Sequence, residues 1–187
     1  CIAKGADIVE IDVRMTKDGQ FIVLHDDSLD RTTNGTGSVG ASTLAEIRKL
    51  RLVHNGKVTD CQVPTLEEAL LAIKGRIMVN LDIKTGPIRE MVELCQRLGV
   101  IDQVIFKQQF FPGLLEIPGL IYMPRVTTME ELKYFLENMH PSAVEIIVPT
   151  PDHPLLTEGV QMIKEAGSRV WINALWDGRE SGGWGDE

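Results

Sequence analysis

The chain has 187 residues, 43% hydrophobic and 25% charged, which is ordinary globular composition and enough for one sizeable core. Nineteen Lys and Arg against 27 Asp and Glu leave a formal charge of −8, which excludes general electrostatic attraction to nucleic acid or anionic lipid. No apolar run approaches the roughly 20 residues of a membrane span, and Cys1, Cys61 and Cys95 show no spacing of a disulfide framework or Cys-rich zinc site.

In chain order, ADIVEIDV and FIVLH read as strands, joined by the turn TKDGQ. A short helix, TLAEIRKL, follows. The strand RIMVNLDIK is bracketed by the helices TLEEALLAI and IREMVELCQRLG. VIFK and GLIYMPRV read as strands, TTMEELKYFLENM as a helix, AVEIIVP as a strand, EGVQMIKEAG as a helix and RVWINAL as a strand. Thr43 with Glu46, Thr65 with Glu68 and Thr128 with Glu131 fit the T-x-x-E capping box. Gly99 and Gly167 stand where helices stop.

Strand, capped helix, strand is the βα pattern of a parallel sheet. In RIMVNLDIK the apolar Ile77, Val79, Leu81 and Ile83 share one face, and Met78, Asn80, Asp82 and Lys84 the other. Strands of an open sheet covered on both faces read instead as continuous apolar runs. The expected fold is therefore a (β/α)8 barrel, with apolar residues facing outer helices and polar ones facing the lumen. No linker or repeat interrupts the chain, so residues 1–187 read as a single barrel domain. About six parallel strands are present where the fold has eight, so the reading is a barrel lacking its first and last βα units.

Glu10 and Asp12 lie two apart on the first strand and point the same way. Adjacent inward carboxylates repel, and desolvation adds to the cost. A divalent cation relieves both, and oxygen-only ligands suit Mg²⁺ or Ca²⁺. Asp18-Gly19 signals a two-residue hairpin turn. If Lys17 and Gln20 flank it, Asp12 lies opposite His25, about 5 Å away. Taken singly, an E-x-D pair reads as an exposed strand face and a lone His as a surface or core residue. Together on one hairpin they point to a site. Asp82 and Lys84 repeat the inward spacing, offering a further carboxylate for the metal and an ammonium for a phosphate oxygen. That pair reads equally as a structural ion pair. Lys107 in VIFK is a weaker phosphate-binding candidate.

Gly35, Gly37 and Gly40 match G-x-G-x-x-G literally. They follow the polar DDSLDRTTN rather than a buried strand, so they read as a loop and not a nucleotide cradle. His54, His140 and His153 lack metal-ligand spacing and read as loop residues.

GADIVEIDVRMTKDGQFIVLHDDSLDRTTNGTG, then VPTLEEAL, then LDIK, resembles the glycerophosphodiester phosphodiesterases, within the phospholipase-C-like phosphodiesterases. The likeness extends more loosely through VIFK and VEIIV to RVWINAL. It implies a (β/α)8 barrel, with Glu10 and Asp12 as ligands of a divalent metal and His25 as general acid/base. Asp82 stands where the family has a glutamate ligand, followed by Lys84. The resemblance implies hydrolysis of a glycerophosphodiester to glycerol 3-phosphate and an alcohol. Trp171 and Trp176, near the last strand end, read as contacts of glycerol or the leaving group, or as core packing, the commoner use of such residues. The resemblance further implies a His-Arg pair ahead of Cys1. The alternatives are a hydrolase of another phosphodiester (a lysophospholipid or glycerophosphoinositol) and a degenerate barrel that binds phosphodiesters without cleaving them.

Overall fold

The computed structural model describes residues 2–107 and 117–173. The chain divides into two compact units, Cys1–Ile105 and Phe106–Glu187.

The first unit is built on strands β1 (Ile8–Met15), β2 (Phe21–Val23) and β5 (Met78–Ile83), in the order β2-β1-β5. β1 and β2 are antiparallel, and β1 and β5 run parallel from Ile8↔Met78 to Val13↔Ile83. Between β2 and β5 come α1 (Leu44–Ile47), the short hairpin β3 (Val53–His54) and β4 (Lys57–Val58), and α2 (Leu66–Ile73). α3 (Ile88–Leu98) follows β5 and leads to β6 (Val104–Lys107), within which the chain passes into the second unit.

Local chemistry accounts for these boundaries. Thr43 and Thr65 each accept from the backbone N–H three residues on, and Glu46 and Glu68 reach back to the cap N–H, completing both capping boxes. Gly99 ends α3 in the left-handed region, at φ 66°. On β5, Val79, Leu81 and Ile83 are buried on the apolar face, as the alternation requires, while Asn80 and Asp82 take the other. Gly86, just past β5, has φ 106°, and a Cβ there would lie 2.8 Å from Phe21 Cε1. Only glycine lets the chain leave β5 so close to the β1–β2 hairpin.

The β3–β4 hairpin was not expected, yet its turn is Asn55-Gly56, with both residues at positive φ. That dipeptide is a strong type I′ signal, available in the sequence. His54 consequently lies on a strand rather than in a loop.

In the second unit, β8 (Arg125–Val126), β9 (Ala143–Ile147) and β10 (Arg169–Asn173) form a parallel sheet in the order β10-β9-β8. α4 (Met129–Met139), with the Thr128–Glu131 capping box, joins β8 to β9, and α5 (Glu158–Glu165) joins β9 to β10. Val126, Leu132, Val144, Ile146, Leu155 and Ile163 are fully buried. The expected strand GLIYMPRV is instead two short ones, β7 (Ile121–Tyr122) and β8, interrupted at Met123-Pro124. Pro124 has no N–H to donate to a ladder, though its carbonyl accepts from Glu145 N–H at 2.9 Å. His140 caps α4 in the left-handed region, and His153 Nδ1 accepts from Leu155 N–H at 3.3 Å.

Candidate metal centre and phosphate site

The parallel register of β1 and β5 assembles the site. Glu10 pairs with Asn80, and Asp12 with Asp82. Paired residues on neighbouring strands project to the same face, so all four share one surface. Glu10, Asp12 and Asp82 each offer a carboxylate oxygen, and these lie within 4.8 Å of one another. Residues more than 65 positions apart in sequence meet there because the crossover returns the chain beside its first strand.

Lys84 enters the same group from just beyond β5. Its backbone N–H donates to Val13 O at 2.9 Å, which fixes the chain there. Its Nζ donates to Asp82 Oδ2 at 2.9 Å and lies 3.1 Å from Asp12 Oδ1. Burial opposes the Lys84 charge, but the hydrogen bonds to Asp82 and Asp12 outweigh it, and its pKa is raised. Three carboxylates thus gather around one ammonium.

The donor set fits a hard divalent cation: all oxygen, anionic and mutually close. A further observation points the same way. Asn80 is 1% exposed, and its Oδ1 is buried with no hydrogen-bond partner. A buried carbonyl oxygen left without a partner is costly in the absence of a ligand.

The β1–β2 turn differs from the expected one. Thr16 N–H donates to Gln20 O at 2.9 Å, and Gly19 N–H to Thr16 O at 3.0 Å, with Gly19 at φ 75°. This is a three-residue loop, Lys17 to Gly19, with its last residue in the left-handed region. The extra residue shifts the register, so Met15 pairs with Phe21 and Val13 with Val23. Asp12 O then accepts from Leu24 N–H at 3.1 Å, and His25 is one residue past the position opposite Asp12. Asp18 is used differently from a hairpin turn residue alone: its Oδ1 accepts from Thr16 Oγ1 at 2.6 Å and from Leu44 N–H at 2.9 Å, tying the turn to α1.

His25 sits between two anchors. Leu24 and Leu29 are buried in a cluster with Ile22, Val39, Ile47 and Val63. The polar segment between them is held at the surface, and the His25 side chain is 63% exposed. Arg14, on the same face of β1 as Glu10 and Asp12, donates from Nε to His25 O at 2.8 Å. The imidazole Nδ1 lies 2.8 Å from Asp26 Oδ1. Arg31 grips Asp26 through Nε at 2.5 Å and a second guanidinium nitrogen at 2.8 Å. The Arg31 hydrogen bonds, and then that of His25, hold the Asp26 carboxyl well below the usual carboxylate range. Sequence reading did not single out Arg14, Asp26 or Arg31. The i, i+2, i+4 spacing of Glu10, Asp12 and Arg14 was the available signal for the first.

The other expected residues fall elsewhere. Lys107 belongs to the second unit, where its Nζ lies 2.7 Å from Oε1 of the fully buried Glu145. Arg125 Nε donates to the other oxygen of Glu145 at 3.1 Å. Trp171 pairs in register with Glu145 and is 38% exposed. Trp176 lies outside the described residues. Gly35, Gly37 and Gly40 occupy the loop between β2 and α1, where Gly37 N–H donates to Asp30 Oδ2 at 3.1 Å. No helix of the described residues is long and apolar enough to cross a membrane.

Parallel strands joined by helices, with polar side chains gathered on one face toward the strand ends, define an α/β protein, and the solved structures it resembles place it in the (β/α)8-barrel class. Residues 1–108 match the glycerophosphoryl diester phosphodiesterase family, and the chain belongs to that family. It is 45% identical over 85 residues to a glycerophosphodiester phosphodiesterase of Caldanaerobacter subterraneus subsp. tengcongensis, a match covering 44% of this chain and 35% of that relative. Among solved structures it is similar to a glycerophosphodiester phosphodiesterase of Agrobacterium tumefaciens, with a TM-score of 0.73 and 27% identity, over 91% of this chain and 75% of that one. It is also similar to a phosphodiesterase of Oleispira antarctica solved in complex with the product sn-glycerol-3-phosphate, with a TM-score of 0.71 and 25% identity, over 92% and 74% of the two chains. The chain spans less than half the length of the first curated relatives it matches.

Proposed function

We propose that this chain carries the metal and phosphate site of a divalent-cation-dependent phosphodiester hydrolase that cleaves glycerophosphodiesters to glycerol 3-phosphate and an alcohol. The observation that carries the reading is the meeting of Glu10, Asp12 and Asp82 within 4.8 Å, with Lys84 between the two aspartates. Its similarity to glycerophosphodiester phosphodiesterases, one of their structural relatives holding sn-glycerol-3-phosphate, supports the substrate class.

Glu10, Asp12 and Asp82 would hold Mg²⁺ or Ca²⁺. When bound, the cation supplies Lewis-acid stabilisation of a phosphoryl oxygen and lowers the pKa of a hydroxyl at the reacting centre. Lys84 supplies a donor for a second phosphoryl oxygen, and its half-buried ammonium is aimed by two carboxylates. His25 moves the proton. Asp26 engages Nδ1, which leaves Nε2 to exchange a proton with the attacking or leaving oxygen. Arg31 fixes Asp26, and Arg14 fixes the backbone beneath the imidazole.

Asp82 is one methylene shorter than the glutamate that the family resemblance leads one to expect there. Its carboxylate nevertheless lies within 4.8 Å of those of Glu10 and Asp12. Lys107, whose ammonium is paired with the buried Glu145 of the second unit, is given no role at this site.

The test is release of glycerol 3-phosphate from glycerophosphocholine by the whole protein, set beside glycerophosphoinositol and a lysophospholipid. Release from the first supports the reading. Cleavage only of the others replaces the substrate, and binding without any cleavage replaces the enzyme with a phosphodiester-binding barrel.

A further inference from the structure

Asn80 has a place in the fold that its neighbours explain only in part. It lies mid-strand in β5, two residues before Asp82, and its register partner on β1 is Glu10. It therefore projects to the face that carries the carboxylates, one residue pair closer to the strand N-termini than Asp12 and Asp82. It is 1% exposed, and its Oδ1 is buried without a hydrogen-bond partner. Water does not reach that oxygen. Among the described residues only Thr32 and Glu145 also have a buried side-chain polar atom in this condition, and Glu145 lies beside the Lys107 ammonium, 2.7 Å away.

A strand-centre position on a buried face would ordinarily take Val, Ile or Leu, as the neighbouring Val79 and Leu81 do. An amide there costs desolvation of its carbonyl and returns nothing until something binds to it. A hydrogen-bond donor could satisfy it, but none is in reach among the described residues. A cation could also satisfy it, and the adjacent carboxylates are the group that would hold one.

We propose that Asn80 Oδ1 is a fourth protein oxygen ligand of the cation held by Glu10, Asp12 and Asp82. The inference rests on the metal site of the proposed function and extends it to a neutral ligand. An amide carbonyl adds a hard oxygen without a fourth negative charge. Of the two candidate cations, Ca²⁺ is the one that takes amide carbonyls within a protein-supplied shell, whereas Mg²⁺ keeps several waters. Ca²⁺ is therefore the sensitive probe.

The experiment is calorimetric titration of the metal-free protein with Ca²⁺, alongside thermal unfolding without metal, for wild type, Asn80→Leu and Asn80→Asp. Leu matches the shape of Asn and removes the unpartnered oxygen, so the metal-free Tm of Asn80→Leu is expected to equal or exceed that of wild type. Its Ca²⁺ affinity is expected to fall about tenfold or more. Asn80→Asp keeps an oxygen at the same place and is expected to bind Ca²⁺ at least as tightly as wild type. Should Asn80→Leu fail to fold, Asn80→Ala takes its place under the same affinity criterion. Wild-type affinity in the apolar variant, or lost binding in Asn80→Asp, would overturn the assignment of Asn80 while leaving the three-carboxylate site standing. Absence of Ca²⁺ binding in wild type would overturn the metal site itself, and Asn80 with it.

Discussion

Asp12 on β1 and Asp82 on β5 are register partners in a parallel strand pair, and the Lys84 ammonium bridges them at 3.1 and 2.9 Å. Two carboxylates set side by side on partly buried strands would repel. Lys84 offsets part of that repulsion, and the proposed divalent cation would offset the rest. Under the proposed function, the same ammonium would donate to a phosphoryl oxygen.

Removing the Lys84 charge separates these two roles. Lys84→Met leaves the three carboxylates and takes away a competing positive charge, so cation affinity is expected to hold or rise. Turnover is expected to fall on the order of 10²-fold, the scale of losing one donor to a developing oxyanion. Calorimetry with the metal and steady-state kinetics on the same preparation check both. Loss of cation binding in this variant would show that Lys84 is structural.

His25 and its support differ in what they should cost. His25→Ala removes the proposed proton-transfer group and is expected to lower kcat about 10²–10⁴-fold with cation binding retained. Asp26→Asn keeps the imidazole but weakens its orientation through Nδ1, so its loss should be smaller and lie in kcat rather than KM. Equal losses in the two variants would mean that Asp26 does more than orient the ring.

Acid should destabilise the first unit through named carboxylates. Arg31 and then His25 lower the pKa of Asp26. The Thr65 N–H and then Arg48 lower that of Glu68, whose ordinary value is 4.5. The Thr16 hydroxyl and then the Leu44 N–H lower that of Asp18, whose ordinary value is 3.8. A depressed folded-state pKa means that the unfolded chain binds protons first as pH falls. The contribution is therefore complete above the ordinary carboxylate values and is lost as pH drops through and below them. Urea midpoints measured from neutral pH down to about pH 3 should decline most steeply below 4.5. Asp26→Asn should flatten that decline, and an unchanged slope would remove Asp26 from the balance.

Much of this was legible in the chain. The three T-x-x-E boxes formed as written, because each supplies both partners of its own hydrogen bonds. The alternation in RIMVNLDIK put Asn80 and Asp82 on the face opposite Val79 and Leu81. What local reading missed depended on one residue of turn geometry. Asp18-Gly19 signals a hairpin under either loop length, but Asp18 is drawn to Leu44 N–H, an anchor 26 residues away. That longer loop moves His25 out of register with Asp12. The Asn80 orphan was equally invisible, since a missing partner is a property of packing and not of sequence. The Asn55-Gly56 hairpin, by contrast, was written plainly and passed over.

The most direct measurement of the central claim is hydrolysis of glycerophosphocholine by the whole protein after EDTA treatment, with Mg²⁺ or Ca²⁺ then added back, for wild type and Asp82→Asn. The expected result is loss of glycerol 3-phosphate release on chelation, recovery in wild type with one of the two cations, and little recovery in Asp82→Asn. Release that persists through chelation, or recovers as fully in Asp82→Asn, would contradict a cation held by Glu10, Asp12 and Asp82.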